Sequence, residues 1–299
     1  MDAYSIEPDI GGLAERLGQP SEADFRRPPV QVCECGYTTP VDERRALTRE
    51  VLSAAVGRIG PPTLYGGAEA GPVIRWRDAE RTVLLDCGAR GLQLSVWHTE
   101  ELEAFEQSRF EVDLIDPAEY FSRLPYLWQL HREAAGSPPL HFPAAPFAQD
   151  WSWLEGSLAA LLRGWQEQLP AQLDRDTAGF NIVPAHAWQL PFSALSVLCS
   201  ELEGVLLLVD DRPTGGGTPG EVMRSRGWQT EIRGWWLSDF DDLDAASTAA
   251  RMAIEEIRRR EVPSPAALAV SDVRCEGGGL LVLPGLTLRG RRDPGAYLA

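Results

Sequence analysis

The sequence predicts an α+β fold of two related halves, each an antiparallel sheet with helices packed on one face. Three observations carry this. Short apolar runs with tight joints read as antiparallel meanders: "PVIRWR", "RTVLLDC" and "LQLSVWH" early, and "FNIVPA", "FSALSVLCSE" and "GVLLLVDD" late. Segments with apolar residues at helical spacing flank them. The order strand, helix, proline-containing stop, strands occurs twice, at 30–38, 41–59 and on to 97, and again at 228–237, 244–260 and on to 289. The residues of the two copies match poorly, so the duplication is read from order alone.

The elements divide into an N-terminal arm (1–28), a first α+β half (29–135), a linker (136–149) and a second α+β half (150–299). The arm reads as loose, with a small helix around Leu13 and Leu17, ended by Pro28 and Pro29. "VQVCECGYT" alternates as a strand. Thr39 before Pro40 suits a helix cap, and Leu47, Val51, Leu52, Val56 and Ile59 form the buried stripe of the helix that follows. After the first meander, residues 100–135 read as helical and acidic. The linker, "GSPPLHFPAAPFAQ", is rich in proline and alanine.

The second half opens with an amphipathic helix carrying Leu154, Leu158, Leu161, Leu162 and Trp165. "RPTGGGTPG" interrupts the second meander, and "WQTEIRGWWL" resumes it as a strand. "DAASTAARMAIEEIRRR" is a helix with Asp244 as its cap and arginines where the dipole favours cations. "LAVSDVRC" and "LLVLPGLTLR" close the chain as strands joined through residues 276–278.

With 299 residues, 44% hydrophobic and 10 tryptophans, the chain can bury a substantial core. A net charge of -16 repels phosphate backbones and anionic lipid surfaces, so neither nucleic acid nor membrane is an expected partner. All 28 cationic side chains are arginine, and Asn181 is the only asparagine. Lysine and asparagine share AT-rich codons, so a GC-rich bacterial genome accounts for both; selection against amines is the alternative. The absence of lysine excludes a Walker lysine, a kinase-type lysine, a Schiff base and a Ser-x-x-Lys acyl enzyme. The acidic start lacks the apolar core of a signal peptide, and "GVLLLV" is too short to span a bilayer. Five irregularly spaced cysteines do not make a disulfide framework, so a cytoplasmic location is expected.

Several constellations could carry chemistry. Cys33 and Cys35 resemble half a zinc ribbon, but no second cysteine pair exists; strand periodicity puts both on one face, where a helix packs closely. Asp239, Asp241 and Asp242 could gather ligands for a hard cation, but the calcium-loop spacing fails and acids before a helix complement its dipole. "GGGTPG" fits G-x-G-x-x-G formally, but Pro219 intrudes and a loop is the plainer reading. Asp210 and Asp211 end an apolar strand, as a catalytic pair or as the opening of a turn. His186, near Trp188, reads as a partly buried structural imidazole. Trp228, Trp235 and Trp236 lie on one predicted strand with Arg233, and this mixture is common at protein interfaces.

The expected function is therefore a non-enzymatic protein-binding protein of chaperone, immunity or adaptor type, with no cofactor and no metal. Its partner-binding residues would be Trp228, Arg233, Trp235 and Trp236, and a homodimer is a further possibility. The alternative is an enzyme or small-molecule binder using Asp210, Asp211 and His186 in a cleft between the halves.

Overall fold

Asp9 accepts the N–H of Gly12 and so starts helix α1 (Ile10–Gly18), whose Ile10, Leu13, Ala14 and Leu17 are buried. The segment read as an arm thus contributes to the core. Strand β1 (Val30–Glu34) and helix α2 (Val41–Ile59) follow. Then come β2 (Leu64–Ala68), β3 (Gly71–Pro72), β4 (Ile74–Arg77), β5 (Arg81–Gly88) and β6 (Gly91–His98). Helices α3 (Thr99–Phe110) and α4 (Pro117–Arg123) precede β7 (Trp128–His131). The second half runs α5 (Trp151–Gln172), β8 (Ala178–Pro184), β9 (Leu195–Ser200), β10 (Gly204–Asp210), α6 (Gly220–Ser225), β11 (Thr230–Ile232) and β12 (Trp235–Phe240). It ends with α7 (Ala246–Arg259), β13 (Leu268–Cys275), β14 (Leu280–Val282) and β15 (Arg289–Gly290). The computed structural model describes residues 9–36, 38–112, 116–132, 147–186, 192–201, 204–212, 217–242 and 245–290. Of the linker, only 147–149 lie among these, and Asp244 and Trp188 lie outside them.

The strands form two sheets, ordered β1-β6-β5-β4-β2-β7-β14, with β3 added beside β2, and β11-β12-β10-β9-β8-β13-β15. Both are antiparallel except where β13 meets β15. The two orders match position for position: β2, β4, β5, β6 and β7 stand where β8, β9, β10, β12 and β13 stand. The α+β architecture of two related halves is present, but in a different phase from that read in the sequence. Helix α2, leading into β2, corresponds to α5, leading into β8, and not to α7. Strand order is invisible in linear spacing, so the periodicity paired the wrong helices.

Four further expectations are corrected. The apparent strand "WQTEIRGWWL" is a hairpin, because Arg233 and Gly234 both take positive φ (52° and 84°), as a tight two-residue turn requires. Part of the acidic helical stretch is strand β7, beyond the break at Leu124 and Pro125. The two closing strands do not pair: β13 lies in the second sheet, whereas β14 crosses to pair with β7 in the first. Finally, His186 is exposed rather than partly buried.

Alternation along the first sheet gives it two covered faces. Ile74, Trp76, Val83, Leu85 and Leu94 pack with α1 and α2, while Leu84 and Val73 pack with Leu102 of α3. Helix α5 joins the halves. Leu158, Leu162 and Trp165 share one core with second-sheet residues such as Phe180 and Leu207 and with Leu127, Trp128 and Leu130 of the first half. The Gln172 amide donates to Gly66 O at 2.8 Å and accepts from Gly66 N at 3.1 Å, so a helix side chain satisfies strand backbone. Gln168 donates to Ala68 O (2.7 Å) and accepts from the Trp128 indole (3.1 Å). Among the described residues, no helix is long and apolar enough to cross a membrane.

Candidate functional site

Pairing along the first sheet assembles the site from distant parts of the chain. Cys33 on β1 stands opposite Leu92 on β6, which stands opposite Cys87 on β5. Gly91 (φ 137°) lets the β5–β6 turn approach β1, since a Cβ there would lie 2.3 Å from Cys33 O. Beside this turn a cleft of about 210 Å³ opens between the halves. Cys35, Arg44, Thr48, Gly71, Cys87 and Leu92 line it from the first half, and Arg163 and Glu167 of α5 from the second.

Three arginines of α2 fix α5 at the cleft. Arg44 grips Glu167 bidentately, at 2.8 and 2.7 Å, and donates to Thr39 O. Arg45 donates to Gln166 O, and Arg49 to Pro170 O and Glu201. The Arg45 contact has a local cause. Pro170 lies inside α5 and has no N–H, so the carbonyl four residues back is left open for the guanidinium.

The thiols in this wall are not alike. The neighbouring Cys33 thiol lowers the Cys35 pKa to about 7, helped by the Leu92 backbone and the Arg44 charge and opposed by burial. Cys33 is driven strongly upward by the Cys35 thiol beside it and by burial. Burial pushes Cys87 up to about 12. The buried Cys33 and Cys35 and exposed Glu34 follow the predicted alternation. All five cysteines are free, and no cluster of three or more His, Cys, Asp or Glu among the described residues could hold a metal ion.

Asp210 and Asp211 are both buried at the end of β10, and arginines engage them. Arg212 donates to both Asp210 oxygens (2.7 and 2.9 Å), and this contact holds the Asp210 carboxyl below its usual range. Arg260 donates to Asp210 O and Asp211 Oδ1, each at 2.9 Å, and to Glu256 (3.0 Å). Thr218 N–H donates to Asp211 Oδ2 at 2.6 Å. A carboxylate therefore occupies the N–H that a phosphate would need at the glycine-rich segment, and α6 beyond it is six residues long. The acids form an ion-pair network at the turn, and neither lines the cleft.

The tryptophans separate. Trp228 lies between α6 and β11 and is buried; Trp236 is buried from β12, with the Arg224 guanidinium over its ring at 5.8 Å. Trp235 is half-buried, with Arg212 at 5.3 Å from its ring centroid. Arg233 is exposed at the hairpin turn beside Ile232, which is 53% exposed. Asp239, Asp241 and Asp242 are exposed along the end of β12, where Gln166 of α5 binds the Phe240 and Asp242 carbonyls.

Sequence reasoning paired Cys33 with Cys35 but missed Cys87, Arg44 and Glu167. These meet only through the β1–β6–β5 pairing and the α2–α5 contact. No protein-family model, curated protein or solved structure matches the chain.

Proposed function

We propose that this chain is a non-enzymatic, cytoplasmic protein-binding protein of adaptor, chaperone or immunity type, and that its partner adds to the β11–β12 hairpin. The observation that carries this is the edge of the second sheet. All three residues of β11 are exposed, and β12 is the only strand paired with it among the described residues. Such an edge offers backbone donors and acceptors to an incoming strand. Ile232, Arg233 and half-buried Trp235 supply side-chain contacts beside it. Glu231, which could guard the edge, turns its carboxylate onto Gly234 N–H at 2.5 Å. The net charge of -16 favours a partner with a basic face.

The test compares wild type with Ile232→Asp and Trp235→Ala as immobilised baits, with melting temperatures measured in parallel. A stoichiometric protein held by wild type, weakened by salt and lost from both variants at unchanged melting temperature supports the reading. Light scattering that shows a wild-type dimer and an I232D monomer makes the partner a second copy. Equal capture by all three baits sinks it.

A second reading, a small-molecule binder, is favoured by the cleft between the halves. It would rest on Arg44, Arg163 and Glu167 rather than on Asp210, Asp211 and His186. A thermal-shift screen against anionic metabolites tests it, and a ligand whose shift survives Arg163→Ala argues against that location.

A further inference from the structure

We infer that two copies of this chain pack face to face through the outer face of the second sheet, the one turned away from α5 and α7. Burial alternates along β9, β10 and β12. Val197, Leu207 and Trp236 enter the core, while Leu198, Leu206, Leu208, Trp235 and Leu237 point the other way and stay half-buried. Cross-strand pairing makes a patch of these five. Leu206 stands opposite Leu198, Leu208 opposite Leu237, and Trp235 opposite the exposed Ile232.

The first copy shows the same face closed: Leu102 of α3 packs there on Val73 and Leu84. In the second copy, none of the five joins a hydrophobic cluster with a helix among the described residues. A polar ladder bounds the patch on the β8 side, where Ser196 Oγ donates to Asn181 (2.6 Å) and the Asn181 amide donates to Asp272 (2.7 Å). A contiguous apolar patch inside such a border marks a contact surface.

The charges around the patch select a second copy as its occupant. A net charge of -16 opposes self-association in general, but this face carries both signs, with Asp239 and Asp272 exposed alongside Arg233 and Arg274. They are also polarised along β12. Arg233 lies at the hairpin end and Asp239 at the other, roughly 20 Å away for six residues of strand. A two-fold axis lying between the faces and across the strands, near Leu208 and Leu237, sets the Arg233 end of each copy over the Asp239 end of the other. Four strands about 4.8 Å apart and about 20 Å long make a face on the order of 400 Å². That is below the roughly 800 Å² per partner of a standard interface, so the dimer is concentration-dependent rather than obligate. It leaves the β11 edge open, so it stands or falls separately from strand addition at the hairpin.

Analytical ultracentrifugation of the full chain, with melting temperatures measured in parallel, tests this. The wild-type mass should double over roughly 1 to 200 μM, the range a contact of this size supports. Leu198→Ser and Leu206→Ser should each raise the dimer Kd at least about tenfold, because a two-fold dimer loses each leucine twice. Both lie away from the β11 edge. Arg233→Asp and Asp239→Arg should each weaken the dimer about fivefold or more, and the double variant should recover the wild-type Kd. Aspartate tolerates the positive φ at position 233, and this rescue does not depend on how well the leucine variants fold. A wild-type mass of one chain throughout overturns the inference and leaves the hairpin reading untouched. A dimer that Ile232→Asp breaks but both leucine variants keep is edge-to-edge pairing through β11, and it overturns the inference as well.

Discussion

Asp86 points to the α3 face of the first sheet, where its Oδ1 is buried without a hydrogen bond. Burial is the main cause that pushes its carboxyl from 3.8 up to about 6, against opposing contributions from Gln93 and Arg75. A carboxyl with a raised folded pKa binds its proton more tightly when folded. Stability from this group is therefore lost as pH rises from about 4 to 6 and stays lost above. Asp86→Asn should raise urea-denaturation stability by about 1–2 kcal/mol at pH 7.5, with the gain gone below pH 4. A gain independent of pH would assign the effect to packing instead. Nearby, Arg75 and Glu106 form a buried pair at 2.6 Å, with Arg75 also over the Tyr126 ring at 4.7 Å. Glu106→Ala leaves that guanidinium buried and unpaired and should cost about 3–5 kcal/mol, whereas Arg75→Met with Glu106→Leu should cost far less. Chemical denaturation of both variants decides it. At this scale the sequence is informative about alternation and silent about partners: "CEC" puts two thiols on one face, but nothing in it connects them to Cys87 or Arg44.

At the scale of elements, α5 carries an internal proline without breaking, because Arg45 of α2 occupies the carbonyl that the proline leaves open. This makes a testable coupling. Arg45→Ala should cost about 1–2 kcal/mol, since Gln166 O loses its partner. Pro170→Ala restores the helical N–H, so in that background Arg45→Ala should cost much less. A double-mutant cycle by urea denaturation that finds the two changes additive would mean that Arg45 acts through its other contact, Asp42. The meanders were legible because their strands alternate and their joints are short, as at Asp78, whose side chain accepts the N–H groups of Glu80 and Arg81. Strand β7 was not, because "YLWQLH" follows a helix at nearly helical apolar spacing, and only its pairing with β2 makes it a strand. The 230–240 hairpin was missed because the turn signal is Arg-Gly rather than the commoner Asn-Gly, with Arg233 forced to positive φ.

Across the whole molecule, the duplication and the cooperativity have different origins. Two copies of one strand order would suggest two independent folding units, but the chain ties them together. Helix α5 leads the second copy, yet its Gln168 and Gln172 satisfy the backbone of β2 in the first. Strand β14 comes from the end of the second copy, yet it extends the first sheet beyond β7, where Gly279 (φ 101°) passes so close that a Cβ would lie 2.6 Å from His131 O. The first copy is incomplete without parts supplied by the second, and the two share one core, so unfolding should be a single transition. Leu281, buried on β14, offers the test. Leu281→Asp places a charge in the joint core and should destabilise both sheets together by about 3 kcal/mol or more. Far-ultraviolet circular dichroism, tryptophan fluorescence and amide exchange resolved to each half should shift by the same amount and remain superimposable. If exchange accelerates in the first half alone, then β14 is a local patch on that sheet, and the halves are joined only by α5.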